Sequence, residues 1–398
     1  MQPLTGSKVL LIIGAITFLS VLSTAITEPI RPLFITGVGS TTLELGLIMA
    51  LQSIVSVIAR LLASAYSETV GKWRLILASL LLSVGSTALF AFVYEPLWFF
   101  PAVALSAVSW AIFSPISLVM VLEMSAATSR GAVMGLYFTA IGAALFVGPL
   151  VCSFLTLYIG FRELYLASTA FPLLALLLFN FRMSRAEVEG GRVPVDKPVD
   201  VKSSTWSSVK RIFRVKNVTA MYYAQVVFAI SYGVYSTLFS IHAEGTLLIA
   251  PSVIALLFSL RAFTNLLIRF PGGRISDRIG RKKPVLVAHS IIVVVFTLLP
   301  FTRDLTLLAA LVALYGVGWG LRVAPDSALV SESVNSVDRS IALAILMTMF
   351  DIGVALGSLM VGVLSSYLSI SNLFLLCAPI LLSGLVIQVY FIRETLNQ

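Results

Sequence analysis

Apolar stretches recur along almost the whole chain. Each is long enough, at about 20 residues, to cross a hydrocarbon layer of roughly 30 Å as a helix. Twelve such spans are expected near 9–33, 43–64, 75–94, 97–122, 131–159, 163–182, 217–241, 247–270, 284–302, 305–330, 340–368 and 371–392. Of 398 residues 59% are hydrophobic and 11% charged, with a mean hydropathy of +1.01. A water-soluble domain of this length needs more polar surface than that. The strict apolar/polar alternation of a membrane β-barrel is absent. The chain therefore reads as an all-α membrane protein.

The net charge of +9 does not point to nucleic acid, because the cations follow loop parity. Loops of one parity hold Lys72, Arg74, Arg130, nine cations from Arg182 to Lys216, five from Arg274 to Lys283, and Arg339; the others hold Arg31, Arg162 and Arg303. Cations accumulate on the cytoplasmic side, which places both termini inside, in a plasma membrane. The first apolar run is too long for a typical signal-peptide core and is read as the first span. Cys152 and Cys377 fall within spans, so neither a disulfide nor a metal site is expected. The one long polar segment, 183–216, contains Pro194, Pro198 and Gly190-Gly191 and reads as a cytoplasmic linker between residues 1–182 and 217–398. Within it, Trp206 to Lys216 has the pattern of a basic amphipathic helix on the membrane surface.

The two halves repeat. Arg130 and Arg339 lie 209 residues apart, as do Arg60 and Arg269, Glu123 and Glu332, Gly148 and Gly357, and Gly71 and Gly280. One gapless offset across five pairs implies two pseudo-symmetric six-helix bundles, an arrangement that places a solute site between them near the bilayer midplane.

The loop after the eighth span carries a second signal. Gly273-Arg-Ile-Ser-Asp277-Arg278-Ile-Gly280-Arg281-Lys282 matches G-x-x-x-D-R-x-G-R-K/R position by position. With the repeat and the long linker, it makes the chain resemble the major facilitator superfamily over essentially its whole length. The first-half copy is degraded: Glu68 and Thr69 replace Asp-Arg before Gly71, Lys72 and Arg74. The resemblance implies the major facilitator fold and a cytoplasmic gate. There Asp277 lies beside Arg130 at the start of the fifth span, and Glu68 beside Arg339 at the start of the eleventh. Gly142 and Gly148-Pro149, in the fifth span, resemble the glycine motif of the twelve-span drug:proton antiporters, where small residues bring helices close and proline bends them. Glu28, just before Pro29-Ile-Arg31-Pro32, resembles an acid tied to proton coupling in multidrug exporters. The fourth span lacks the arginine that such exporters usually carry.

A charge at the bilayer centre costs about 2.5–3.5 kcal/mol on insertion scales, so intramembrane polar residues mark candidate sites. Tyr315, Trp319, Arg322 and Asp326 are spaced 4, 3 and 4 along the tenth span and share one face. Arg261, Asn265 and Arg269 recur every fourth residue in the eighth; Gln52, Ser56 and Arg60 are their first-half equivalents. Glu28, Arg31, Gln225, Tyr232 and Asp351 complete the expected substrate or proton cavity. A coupling acid needs burial and an arginine pulling its proton affinity in opposite directions; Glu28 and Asp351 are the candidates.

No zinc-protease, hydrolase-elbow or phosphate-loop motif is present, and no nucleotide or other cofactor is implied. The expectation is a monomeric secondary transporter, not an enzyme, with protons and a small molecule as partners. Its leading mode is proton-coupled export of small, partly apolar compounds. The alternative is uptake or exchange of a carboxylate or phosphate ester through Arg261 and Arg322.

Overall fold

The computed structural model describes residues 6–123, 130–183, 188 and 201–395, with side chains described except at 6–9, 64–68, 130–132 and 201–206. The described elements are helical. They are α1 (Gly6–Thr27), α2 (Arg31–Gly37), α3 (Thr42–Val70), α4 (Lys72–Ala91), α5 (Phe99–Glu123), α6 (Arg130–Leu155), α7 (Phe161–Ser168), α8 (Ala170–Arg182), α9 (Val201–Phe213), α10 (Lys216–Gly245), α11 (Pro251–Ile279), α12 (Lys282–Leu298), α13 (Leu305–Glu332), α14 (Arg339–Leu364) and α15 (Ile370–Phe391). Twelve spans of bilayer length result.

Local chemistry sets many helix ends. Thr41 and Glu44 form a reciprocal capping box at the start of α3: the Glu44 amide donates to Thr41 Oγ1 (3.2 Å) and the Thr41 amide to Glu44 Oε2 (2.7 Å). Asp304 and Ser369 accept backbone amides at the starts of α13 and α15. The expected first span is interrupted. Pro29 and Pro32 stop α1 at Thr27 and restart the chain as α2. The expected sixth span is two helices, α7 and α8, joined at Thr169.

The chain divides into two compact units. Unit 1 comprises 1–40, 51–197 and 250–259; unit 2 comprises 41–50, 198–249 and 260–398. In unit 1, α1 packs on α6 and α8, and α4 on α5 and α8; in unit 2, α10 packs on α14 and α15, and α12 on α13 and α15. These four pairings correspond one to one at the 209-residue offset. Close approach is built the same way in both. A Cβ at Gly148 would lie 2.5 Å from Ala25 Cβ, and one at Gly357 would lie 2.1 Å from the Ile230 carbonyl. Pro149 is accommodated within a continuous α6, and Gly142 is buried on the same helix.

The linker's expected amphipathic helix exists as α9. Its apolar side is used inside unit 2: Ile212 is buried in a cluster with Val218, Leu329 and Ala342.

Candidate functional site

The polar face of α13 lies in unit 2. Glycines bring this helix against α11. A Cβ at Gly316 would fall 2.1 Å from Thr264 Oγ1 and 2.3 Å from the Arg261 carbonyl, and one at Gly320 would fall 2.4 Å from the Asn265 carbonyl. Thr264 Oγ1 donates across this contact to the Ala313 carbonyl (3.0 Å). The register puts Arg261 under the rings of α10 and α13. Its guanidinium carbon lies 5.3 Å from the Trp319 ring centre, 5.4 Å from Tyr235 and 5.8 Å from Tyr232. Asn265, one turn on, accepts from Arg269 Nε (2.9 Å).

Arg322 is 2% exposed. Its Nε donates to Asp326 Oδ2 (2.7 Å) and its Nη2 to Gln225 Oε1 (2.7 Å), while the guanidinium stacks 3.9 Å over Phe228. Two planar bonds and one ring fix the fork's orientation. Its remaining nitrogen, Nη1, is buried with no acceptor; Asp326 Oδ1 and the Tyr315 hydroxyl are likewise buried without partners among the described residues. Phe228 packs on Trp319, and Trp319 on Tyr232 and Phe350, so the two arginines border one continuous aromatic wall. Asp351, next to Phe350, is partly buried on α14.

In unit 1, Arg31 donates from Nη1 to Gln52 Oε1 (2.9 Å) beside the Phe90 ring. Glu28 is partly buried in the break between α1 and α2. The neighbouring hydroxyls are consumed by the helices: Ser20 and Thr24 bond back to carbonyls of α1, and Ser109 Oγ donates to the Ser79 carbonyl (2.8 Å).

The motif loops of the two units form matching turns. Gly71 has φ +87° and Gly280 φ +94°, the left-handed region that glycine tolerates. Lys72 pairs with Glu123, and at the same offset Arg281 pairs with Glu332 (3.0 Å). Arg281 also bonds Asp277 and Ser276 Oγ. Burial opposes the charge on Arg281, but the bonds to Glu332 and Asp277 outweigh it and raise its pKa above the ordinary value. The partner seen for Asp277 is thus Arg281, within its own unit. Arg339 Nε donates to the Ser331 carbonyl (3.1 Å). The side chains of Glu68 and Arg130 lie outside the described residues. Arg74 and Arg278 are exposed, and Gly273 faces Ala324 at 3.9 Å. Lys282 Nζ donates to the Val389 carbonyl (2.9 Å).

Sequence reasoning missed Tyr235, Phe228 and Phe350, whose rings are ordinary apolar residues in a one-dimensional pattern. It also missed the role of Gly316-Val-Gly-Trp-Gly320, although that glycine spacing was a usable signal. His242 is buried within α10 beside Phe374.

A family model described as the Major Facilitator Superfamily matches residues 13–245 and 221–397. Two proteins of Methanocaldococcus jannaschii, both described as uncharacterized MFS-type transporters, are similar over nearly full length. MJ1560 is 22% identical, covering 92% of this chain and 94% of its own. MJ1317 is 24% identical, covering 91% and 88%. Among solved structures, the nucleoside transporter NupG superposes with a TM-score of 0.80 at 12% identity, covering 96% of this chain and 98% of its own. A peptide transporter POT in complex with sulfate gives 0.78 at 13% identity, covering 96% and 93%.

Proposed function

The chain belongs to the Major Facilitator Superfamily, and from that premise we propose that this transporter carries a small organic anion with a flat apolar body, together with a proton. The observation that supports this most is Arg322. It is buried and held by Asp326 and Gln225 while Nη1 has no acceptor among the described residues. A carboxylate or phosphate ester satisfies that nitrogen. The rings of Tyr232, Trp319 and Phe350 suit the flat remainder of such a solute.

The same geometry couples the solute to a proton. An anion on Arg322 competes with Asp326 for the guanidinium. A buried carboxylate that loses its cation is costly, and protonation removes the cost. Anion and proton are then held together, and for a monoanion such as a carboxylate the charge of the site is unchanged between empty and loaded states. Rocking of the two six-helix halves delivers both to the other side of the bilayer. In this reading Asp326 is the coupling acid, with Glu28 and Asp351 in supporting places. With both termini inside, a proton gradient directed inward drives uptake.

A second reading, proton-coupled export of drug-like amphiphiles, draws support from the same aromatic wall. Proteoliposomes separate the two. Benzoate is offered against a lipophilic cation, with an imposed pH gradient. The anion reading expects benzoate uptake, faster than in protein-free vesicles, that follows the proton gradient and ignores membrane potential. Movement of the cation alone, or anion flux indifferent to pH, overturns it.

A further inference from the structure

One end of unit 2 carries a feature separate from the proposed solute site. An open cleft of about 440 Å³ is lined by Lys216 and Asn217 at the start of α10 and by Tyr390, Phe391 and Arg393 at the end of α15. Its size is that of a small-molecule site, roughly 300–1,000 Å³. Its lining holds two cations and no acid.

The backbone carrying Arg393 is fixed from several sides. Asn217 clamps it, donating from Nδ2 to the Arg393 carbonyl (3.2 Å) and accepting the Arg393 amide on Oδ1 (2.8 Å). The next residue, Glu394, accepts the amides of Arg281 (2.7 Å) and Lys282 (3.1 Å). Thr395 Oγ1 then donates to Glu332 (2.6 Å). Nearby cations are committed: Arg281 to Asp277 and Glu332, Lys282 to the Val389 carbonyl, Arg211 to Asp338, Arg339 to the Ser331 carbonyl. Lys216 Nζ and the Arg393 guanidinium, both exposed, have no such partner among the described residues. Two unpaired cations thus face one cleft from a rigid rim.

Location narrows the occupant. The cleft sits where two membrane spans, Lys216–Gly245 and Ile370–Phe391, meet the polar segments that flank them. Tyr390 is 79% exposed and Phe391 52% exposed on the last turn of α15. An exposed tyrosine at a span end is a headgroup-level anchor. A neighbouring cleft, near 400 Å³, contains Glu332 and is less suited to an anion.

We propose that this cleft binds the phosphodiester headgroup of an anionic phospholipid, with Lys216 and Arg393 on the phosphate and Tyr390 and Phe391 along the glycerol and upper acyl chains. The proposal is independent of the transported solute.

The test uses the purified full-length protein in mild detergent, titrated with phosphatidylglycerol or phosphatidylcholine and read by native mass spectrometry. Wild type is expected to retain phosphatidylglycerol selectively. K216Q/R393Q is expected to bind it roughly tenfold or more weakly. R278Q/K283Q, which removes the same charge from the same end, should retain it as wild type does. Both residues of the first pair are exposed and unbonded through their side chains, so melting without lipid should match wild type. Equal retention by all three proteins, or equal loss in both variants, overturns the site. Glycerol 3-phosphate or inorganic phosphate displacing the lipid at comparable concentration overturns the lipid assignment in favour of a soluble phosphate.

Discussion

At positions 209 residues apart, unit 1 carries Gln52, Trp110, Phe113 and Ser117 where unit 2 carries Arg261, Trp319, Arg322 and Asp326. The helices bearing them pack in corresponding pairs. Ser117 bonds the Tyr137 hydroxyl (2.8 Å) and Phe113 is buried in the unit's apolar cluster. One bundle of this design therefore closes with phenylalanine and serine where the other holds a buried ion pair. The charges of unit 2 are not a requirement of the fold. Replacing a buried ion pair by apolar groups is often neutral or stabilising by about 1–4 kcal/mol, so retention of one calls for another explanation. The proposed anion site supplies it.

The largest expected effect follows from making unit 2 resemble unit 1. R322F/D326S installs the residues of the equivalent positions. Anion transport in proteoliposomes should fall about 100-fold or more, while the melting temperature of the purified protein holds or rises. Asp326→Asn alone should do the reverse to stability, because it strands Arg322, at a cost of about 3–5 kcal/mol. If R322F/D326S transports as wild type does, the functional difference between the units disappears.

The fold was legible because a bilayer imposes length and hydropathy on every span, and the twelve spans recur in the structure. The repeat was legible because insertions have not disturbed the 209-residue offset. Finer breaks were not: Pro29 and Pro32 cut the first span, but hydropathy alone runs through them. Of the site, Arg322 and Asp326 were visible as a face of one helix, four residues apart. Gln225 was visible as a polar residue, but its bond to Arg322 spans 97 positions and no periodicity encodes it. The same holds for Lys72 with Glu123 and Arg281 with Glu332. Each acid–cation pair is 51 residues apart, so the offset shows that the pairs correspond without showing that they touch.

Packing should show the opposite of the charge comparison, since here the units are alike. A methyl at Gly148 or Gly357 meets a neighbouring helix at 2.5 or 2.1 Å, mostly backbone that cannot move alone. Gly148→Ala and Gly357→Ala should each cost about 1–3 kcal/mol through overpacking, read as comparable losses of melting temperature. Gly14→Ala, which meets nothing within 4 Å, should stay within about 0.5 kcal/mol of wild type. A large difference between Gly148→Ala and Gly357→Ala would show that the two bundles are not equally tight.

The smallest expected effect concerns the paired acids of the motif turns. Among the described residues Glu123 pairs with Lys72 in unit 1, whereas Glu332 holds Arg281 and accepts from Thr395 of the C-terminal segment. All four ionised side chains of these two pairs are partly solvated, and such pairs contribute about 1 kcal/mol or less. Glu123→Gln and Glu332→Gln should therefore both melt close to wild type. They should differ in the C-terminal segment. Glu332→Gln weakens both the Arg281 bridge and the Thr395 bond, which expects faster proteolytic trimming after Ile392; Glu123→Gln leaves trimming unchanged. Equal trimming would mean that Glu394, through the amides of Arg281 and Lys282, holds the segment without help. The asymmetry between the turns would then lie in the backbone cap of α12, and the two acids would be equivalent in action as they are in position.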